Sequence, residues 1–318
     1  MFAVVFKYNT LTSDVLQVDF ANGEKKSMAK HQRETISILK FWGFIGIHFV
    51  PLLAIFTGTF TFDWALALAL YVIRMFFITA GYHRYFSHRT FKTSRVFQFL
   101  LAFFAQTSMQ KGALWWASNH RIHHKKSDTL EDPHSAKLFG FWYAHVGWIV
   151  GKNYKETRYD LIKDLAKFPE LVWLNKFHWV PAASLMAFTL FLGNMVNGSG
   201  ILDFQAGVST LIIGFFLSTV VLYHGTFTIN SLMHEIGKRR YNTDDDSRNS
   251  IILALVTLGE GWHNNHHYYQ STARQGFFWW EIDITYYVIR ILGFFRIVWD
   301  IREVPKHILE GNRIKEAA

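Results

Sequence analysis

Residues 41–60 run for twenty positions without a formal charge, enough for a helix to cross a hydrocarbon core of about 30 Å. After a short break the pattern repeats over residues 64–82, interrupted only by Arg74. Residues 206–223 form a third apolar run, and residues 177–196 a fourth that carries His178 and Pro181. The connections within each pair, residues 57–63 and 193–205, contain no Lys or Arg. Basic residues gather instead in the N-terminal arm, the long middle segment and the C-terminal third; the positive-inside rule puts those parts in the cytoplasm. The pattern predicts an all-α integral membrane protein, with four transmembrane helices in two hairpins and a cytoplasmic helical cap. The cap is expected mainly from residues 83–176 and 224–318, and residues 1–318 read as a single domain.

Two other stretches are apolar but broken or short. "VFQFLLAFFAQTSM", Val96 to Met109, fits an interfacial or re-entrant helix better than a span. So do pieces of the aromatic tail at residues 277–299, which carries Glu281, Asp283, Arg290 and Arg296. Arg74 is expected to face protein or to reach toward water. Half of the residues are apolar and 18% are aromatic, which suits a lipid-facing surface. The net charge of +9 follows from the cytoplasmic bias and requires no nucleic acid. Cysteine is absent, so disulfides, thiolate metal sites and cysteine nucleophiles are excluded. The N-terminal "MFAVVFKYNTLTSDVLQVDF" lacks the zones of a cleaved signal peptide, and none is expected.

Of sixteen histidines, nine form a pattern. "HRYFSH" supplies His83 and His88, "NHRIHH" supplies His120, His123 and His124, "NSLMH" supplies His234, and "HNNHH" supplies His263, His266 and His267. Each HxxHH word puts its histidines on one helix face. The spacing of His83 and His88 turns them apart on an ideal α-helix, so the first box is expected at a helix end. Imidazole suits Zn, Cu, Fe and Ni, but a structural zinc site needs only four ligands. Nine imidazoles match two metals with four or five each, and two adjacent redox-active irons can bind and cleave dioxygen.

The words "HRYFSH", "NHRIHH" and "GEGWHNNHH" resemble the three histidine boxes of the membrane fatty-acid desaturases. Their flanks, "ITAGYHRYFSHRTFK", "SDTLEDPHS", "FWYAHVGW" and "TFTINSLMH", are similar to the delta-9, stearoyl-CoA type branch. The resemblance covers roughly residues 40–300. It implies a cap that holds a di-iron centre of two Fe2+ ions, with all nine of these histidines as ligands and Asn230 acting through water. It implies insertion of a cis double bond at carbons 9 and 10 of a saturated acyl chain, with dioxygen and two external electrons. It also implies that Trp116, Thr226 and Phe227 lie at the bend of the acyl tunnel, and that Tyr71 and Met75 close it. Phe227 stands where animal relatives carry tryptophan. Ser118 and Asn119 stand where animal acyl-CoA relatives carry charged residues.

Acyl-CoA is therefore the leading expected substrate, with a lipid-bound acyl chain second and acyl-carrier protein third. A separate electron donor is expected, a ferredoxin or a small cytochrome with its reductase. Membrane lipids surround the spans, and a bacterial inner membrane with a cytoplasmic active site is the expected setting. A related di-iron hydroxylase or alkane oxygenase is the nearest rival reading; a metal transporter would place its ligands within the spans instead. "EDPH", Glu131 to His134, matches the ExxH word of soluble di-iron bundles, but Pro133 argues against the helix it needs, and it is rejected as a ligand set. "TDDDSRN", Thr243 to Asn249, reads as a solvated or ion-paired loop. His48, His178 and His224 sit in or beside spans, at positions that suggest haem or a proton relay, but they lack mutual spacing and read as structural or interfacial. Lys111, Arg121, Lys125, Lys126 and Lys137 are candidates for an anionic headgroup.

Overall fold

The computed structural model describes residues 15–18, 34–199 and 203–314. The stretch read for a signal peptide lies largely outside them. Among the described residues strands are few: β1, Val15–Val18, pairs antiparallel with β2, Glu34–Ser37, and β3, Lys92–Thr93, with β4, Val298–Trp299. The other regular elements are helical.

Helix α1 spans Ile38–Thr57. It tightens to a 3-10 turn at Val50–Leu53, where Pro51 cannot donate to the α-helical ladder. It ends before residue 60 because Gly58 takes φ 71°, a left-handed conformation that a side chain disfavours. No residue of its first segment, Ile38–Phe49, is buried; the lipid is its solvent. Helix α2, Thr61–Ser87, continues well past residue 82. Apolar patterning stops there, yet the backbone stays helical because its polar side chains find buried partners in the cap. Arg84, 1% exposed, pairs with Glu260 at 3.0 Å and Asp283 at 2.9 Å.

Helix α3, Arg95–Gln106, is capped by Ser94 and buries Leu101, Ala102 and Ala105. It packs beside the end of α2, as expected of a short apolar helix. Helix α4, Ala113–Lys126, carries the second box. Helices α5, Val180–Asn197, and α6, Phe204–His234, form the second hairpin. They approach closely: a Cβ on Gly193 would collide with the Thr210 side chain, and one on Gly207 would stand 2.8 Å from Leu190 O. Small residues commonly serve membrane helix pairs in this way. Like α2, α6 outruns its expected end and carries His234 into the cap. Helix α7, His263–Tyr268, holds the third box, and α8, Ile284–Phe294, is capped by Asp283.

The four spans meet the expectation from the apolar runs. Arg74 faces protein: it is 1% exposed and donates to Thr219 Oγ1 at 2.7 Å and Ser218 Oγ at 2.5 Å. At the end of the spans away from the cap, Asp63 is fully buried. It accepts from Ser209 Oγ at 2.6 Å, Thr210 Oγ1 at 2.6 Å, Asn197 Nδ2 at 2.8 Å and Phe60 N at 2.9 Å. One carboxylate thus joins α2 to both members of the second hairpin. Asp63→Ala leaves these donors unpaired and is expected to cost about 3 kcal/mol. It lowers the thermal midpoint of the detergent-solubilised protein without changing metal bound per folded chain.

Candidate metal centre

The first box is brought together by an irregular helix. Phe77–Ser87 is π-helical, and His88 N donates to His83 O at 3.3 Å. An i→i+5 bond makes five residues about one turn, so His83 and His88 face the same way with ring centroids 4.9 Å apart. The box does lie at a helix end, since His88 is the C-cap.

Facing it, α4 and α7 turn their HxxHH faces inward, and the nine histidines divide into two groups. His83, His88, His120, His124 and His266 form one; His123, His234, His263 and His267 form the other; within each, one nitrogen per ring lies within 4.8 Å of all the others. The first HxxHH triplet thereby splits, His120 and His124 to one group and His123 to the other. The second splits likewise, with His266 in the first group and His263 and His267 in the second. In the first group His266 Nε2 stands 3.0 Å from both His83 Nε2 and His124 Nε2, and His88 Nε2 is 2.9 Å from His120 Nε2. In the second, His263 Nε2 is 3.1 Å from His234 Nε2. Nitrogens bound to one ion at about 2.1 Å and at right angles lie about 3.0 Å apart.

Protons alone cannot satisfy this arrangement, because one Nε2 facing two others can donate to only one of them. His267 Nε2 is buried without a hydrogen-bond partner, although its Nδ1 is held by Asp245 Oδ2 at 2.5 Å. These donors fit two metal ions.

Carboxylates hold the rings from behind. Glu260 accepts from His83 Nδ1, Asp132 from His123 Nδ1 at 2.9 Å, and Asp245 from His267 Nδ1. Asp128 lies 3.8 Å from His234 Nδ1. Such partners fix ring orientation and raise ligand basicity. Sequence reasoning missed all four. The signal was their place in polar words beside the boxes, together with the need of a buried ligand ring for a second partner. The reading of 243–249 as solvated is corrected in part: Asp245 is 7% exposed and supports His267, while Asp246 pairs with Lys137 at 3.0 Å. In "EDPH" the exposed Glu131 pairs with Lys126 at 2.8 Å and holds no ring. Its neighbour Asp132 does that work, and His134 packs against His123 with centroids 4.2 Å apart.

Burial, reinforced by neighbouring imidazoles, holds His88, His120, His124, His263 and His266 well below the usual histidine range. Burial lowers His267 to about 4 against the pull of Asp245. Burial also opposes charge on His123, but Asp132 outweighs it and raises that ring. Neutral rings are the form that metals need.

A family model described as fatty acid desaturase matches residues 62–290. A probable acyl-CoA desaturase of Schizosaccharomyces pombe is 35% identical over 75% of this chain and 49% of its own length. The sn-1 stearoyl-lipid 9-desaturase of Anabaena variabilis is 34% identical over 83% of this chain and 93% of its own. An acyl-CoA 5-desaturase of Anemone leveillei is 34% identical over 83% and 78%. The chain belongs to the fatty acid desaturase family.

Beside the imidazoles of this desaturase lies a cavity of about 620 Å³, walled by His83, His120, Trp116, Thr226, Phe227 and Asn230, among others. Trp116 stacks on His120 with centroids 4.8 Å apart, and Thr226 accepts from Gln110 Nε2 at 3.1 Å. Tyr71 and Met75 are not in that wall; they pack against Gly225, where an added Cβ would meet Tyr71 Oη at 2.7 Å and Met75 Cε at 3.1 Å. Lys40, Lys111, Lys155 and His178 line the same cavity. Burial, then Lys40 and Lys155, bring Lys111 down to about 7. Arg121, Lys126 and Lys137 are instead taken by Asp164, Glu131 and Asp246. Ser118 and Asn119 are buried and donate to Trp115 O, so neither reaches a headgroup.

Two outcomes test this geometry. His266→Ala removes the ring shared by two close pairs and should reduce bound metal from two ions per chain toward one, read by atomic absorption. Asp245→Ala leaves the rings in place but should weaken one metal by about tenfold to hundredfold. Separately, the five strongly depressed histidines bind fewer protons folded than unfolded. Metal-free protein is therefore most stable above about pH 6.5 and loses stability as pH falls below it. His123 acts oppositely, as one ring against five. A thermal midpoint no lower at about pH 5 than at about pH 7.5 contradicts this.

Proposed function

We propose that this oxygen-dependent desaturase introduces a cis double bond between carbons 9 and 10 of a saturated long-chain acyl group, presented as the acyl-CoA. The observation that carries the proposal is an apolar cavity walled by His83 and His120 of the first histidine group, with the second group packed behind them and a cluster of cations along another part of the wall. Cations close enough to depress Lys111 favour an anionic headgroup, and binding one would restore that amine toward its ordinary value.

Iron is the metal assigned to both groups, because dioxygen-driven C–H oxidation needs redox steps that zinc lacks. We assign all nine histidines as its ligands, five and four, with Asn230 completing the smaller set through water. When bound, the irons supply oxidation of two adjacent methylenes at the expense of dioxygen and two electrons from an external carrier protein. The chain's own residues do the positioning. Trp116 and Phe227 confine the alkyl chain, and Thr226 fixes the wall through Gln110. Glu260, Asp132 and Asp245 keep three of the rings oriented. Tyr71 and Met75, just beyond Gly225, stop the chain's far end. The basic cap is placed on the cytoplasmic side of the membrane.

Expression in a host without its own desaturase, followed by chromatography of its fatty acids, is expected to yield a cis monoene at carbon 9. Hydroxylated chains alone would favour the oxygenase rival. Labelled acyl-CoA and labelled glycerolipid, supplied to membranes, distinguish the carriers. Lys111→Ala should raise KM about tenfold for acyl-CoA, the loss of one charge-assisted contact. An unaltered KM with efficient turnover of the glycerolipid favours the acyl-lipid reading.

A further inference from the structure

His48, His145 and His224, none of them in the metal groups, are joined end to end. His48 Nδ1 meets Phe44 O at 2.6 Å, and its Nε2 lies 3.0 Å from His224 Nε2. His224 Nδ1 lies 3.0 Å from His145 Nε2, and His145 Nδ1 2.9 Å from Ser231 Oγ. Ser231 Oγ in turn lies 2.9 Å from Phe227 O. The expectation that these histidines are unrelated is corrected for His48 and His224: α1 and α6 bring them together.

The nitrogen spacing equals that of the metal groups, but the arrangement is different. There each ring offers one nitrogen to a common point; here His224 uses both, so the rings form a string and not a cage. A hydrogen count sharpens the point. Three neutral imidazoles and one hydroxyl carry four hydrogens, whereas the string has five links. All five are satisfied only when the string holds one added proton.

We propose that His48, His224, His145 and Ser231 form a proton-transfer path leading from the membrane-facing surface to the Asn230 side of the cavity. This rests on the desaturase reading, in which the acyl chain gives two hydrogen atoms, the electron carrier two electrons and the solvent two protons. Dioxygen then leaves as two waters. The outer end, His48, is half-buried, and His224 beside it is exposed on the helix surface. Trp142, whose ring lies 6.5 Å from that of His145, is 56% exposed. The inner end is closed: His145 is 6% exposed and Ser231 fully buried. Asn230, adjacent to Ser231 in the chain, lines the cavity, as do Phe44, Tyr223 and Phe227 around the string. The titratable groups around it are the three imidazoles and Tyr223, whose hydroxyl donates to Met109 O at 3.3 Å; Lys40 on α1 donates to Gly151 O at 3.0 Å. Burial and then His224 lower His145 to about 4. The middle station therefore passes a proton on instead of keeping it.

His145→Gln and His224→Gln keep hydrogen-bonding capacity but cannot relay. In holoenzyme reconstituted in lipid discs, each is expected to keep wild-type iron content and KM while turnover falls about 10²-fold. The solvent deuterium effect should grow, and added imidazole should restore part of the rate. Independently of activity, nitrogen NMR of histidine-labelled, metal-free protein should show one shared proton on the string at neutral pH, lost in His48→Gln. Unchanged turnover overturns the proposal. So does a loss insensitive to imidazole and to deuterium, or a third bound metal ion that disappears with His48→Gln. A wild type that makes no unsaturated product defeats the desaturase reading instead, and the NMR result still decides whether the string holds its proton.

Discussion

Nine imidazole nitrogens converge in the cap, and this convergence constrains everything around them. Rings packed at 2.9 to 3.1 Å cannot all be protonated, and burial disfavours charge on most of them. The cluster is stable only if its lone pairs share a cation and its outer nitrogens are held elsewhere. Glu260, Asp132 and Asp245 meet the second need for three of the rings. Glu260 is itself held by Arg84, so the ring of His83 is tied through two carboxylates to the start of α8. An ion network this buried stabilises only when complete, which makes the cap a unit organised around its metal positions.

The membrane helices serve the same unit. Helix α2 runs from the bilayer into the cap without a break and delivers His83, while α6 turns at Ser231 into a 3-10 turn that carries His234. The π-helical turn at the end of α2 corrects the register that an α-helix would give to His83 and His88. At the opposite end Asp63 joins α2 to the second hairpin, limiting independent movement of these helices. Helix α1 differs: its first segment buries nothing, yet Phe44 lines the cavity and His48 links to α6. It is the outer wall of the acyl cavity and the place where the string of imidazoles meets lipid.

Much of this is legible in the order of the residues alone. Apolar runs of about twenty residues are long enough to cross a bilayer, so the four spans follow from length and composition. HxxHH repeats on one face by helical geometry alone, and the histidine boxes with their flanks identify the family. Less visible are the carboxylates, because Asp245 sits in a run that resembles any solvated acidic loop, and Asp132 in a word whose more obvious member, Glu131, faces water.

The sequence by itself determined the helical class, the number of spans, which nine histidines recur in box-like words and the absence of thiol chemistry. These depend on local periodicity and composition, which are complete within each segment. Tertiary structure decided which ring joins which metal group, splitting each triplet between the two. It also decided which acids stand behind the rings, and that His48 meets His224 from 176 positions away. These are meetings between distant segments, set by the packing of whole helices and by a π-turn that shifts register, and no local pattern encodes them.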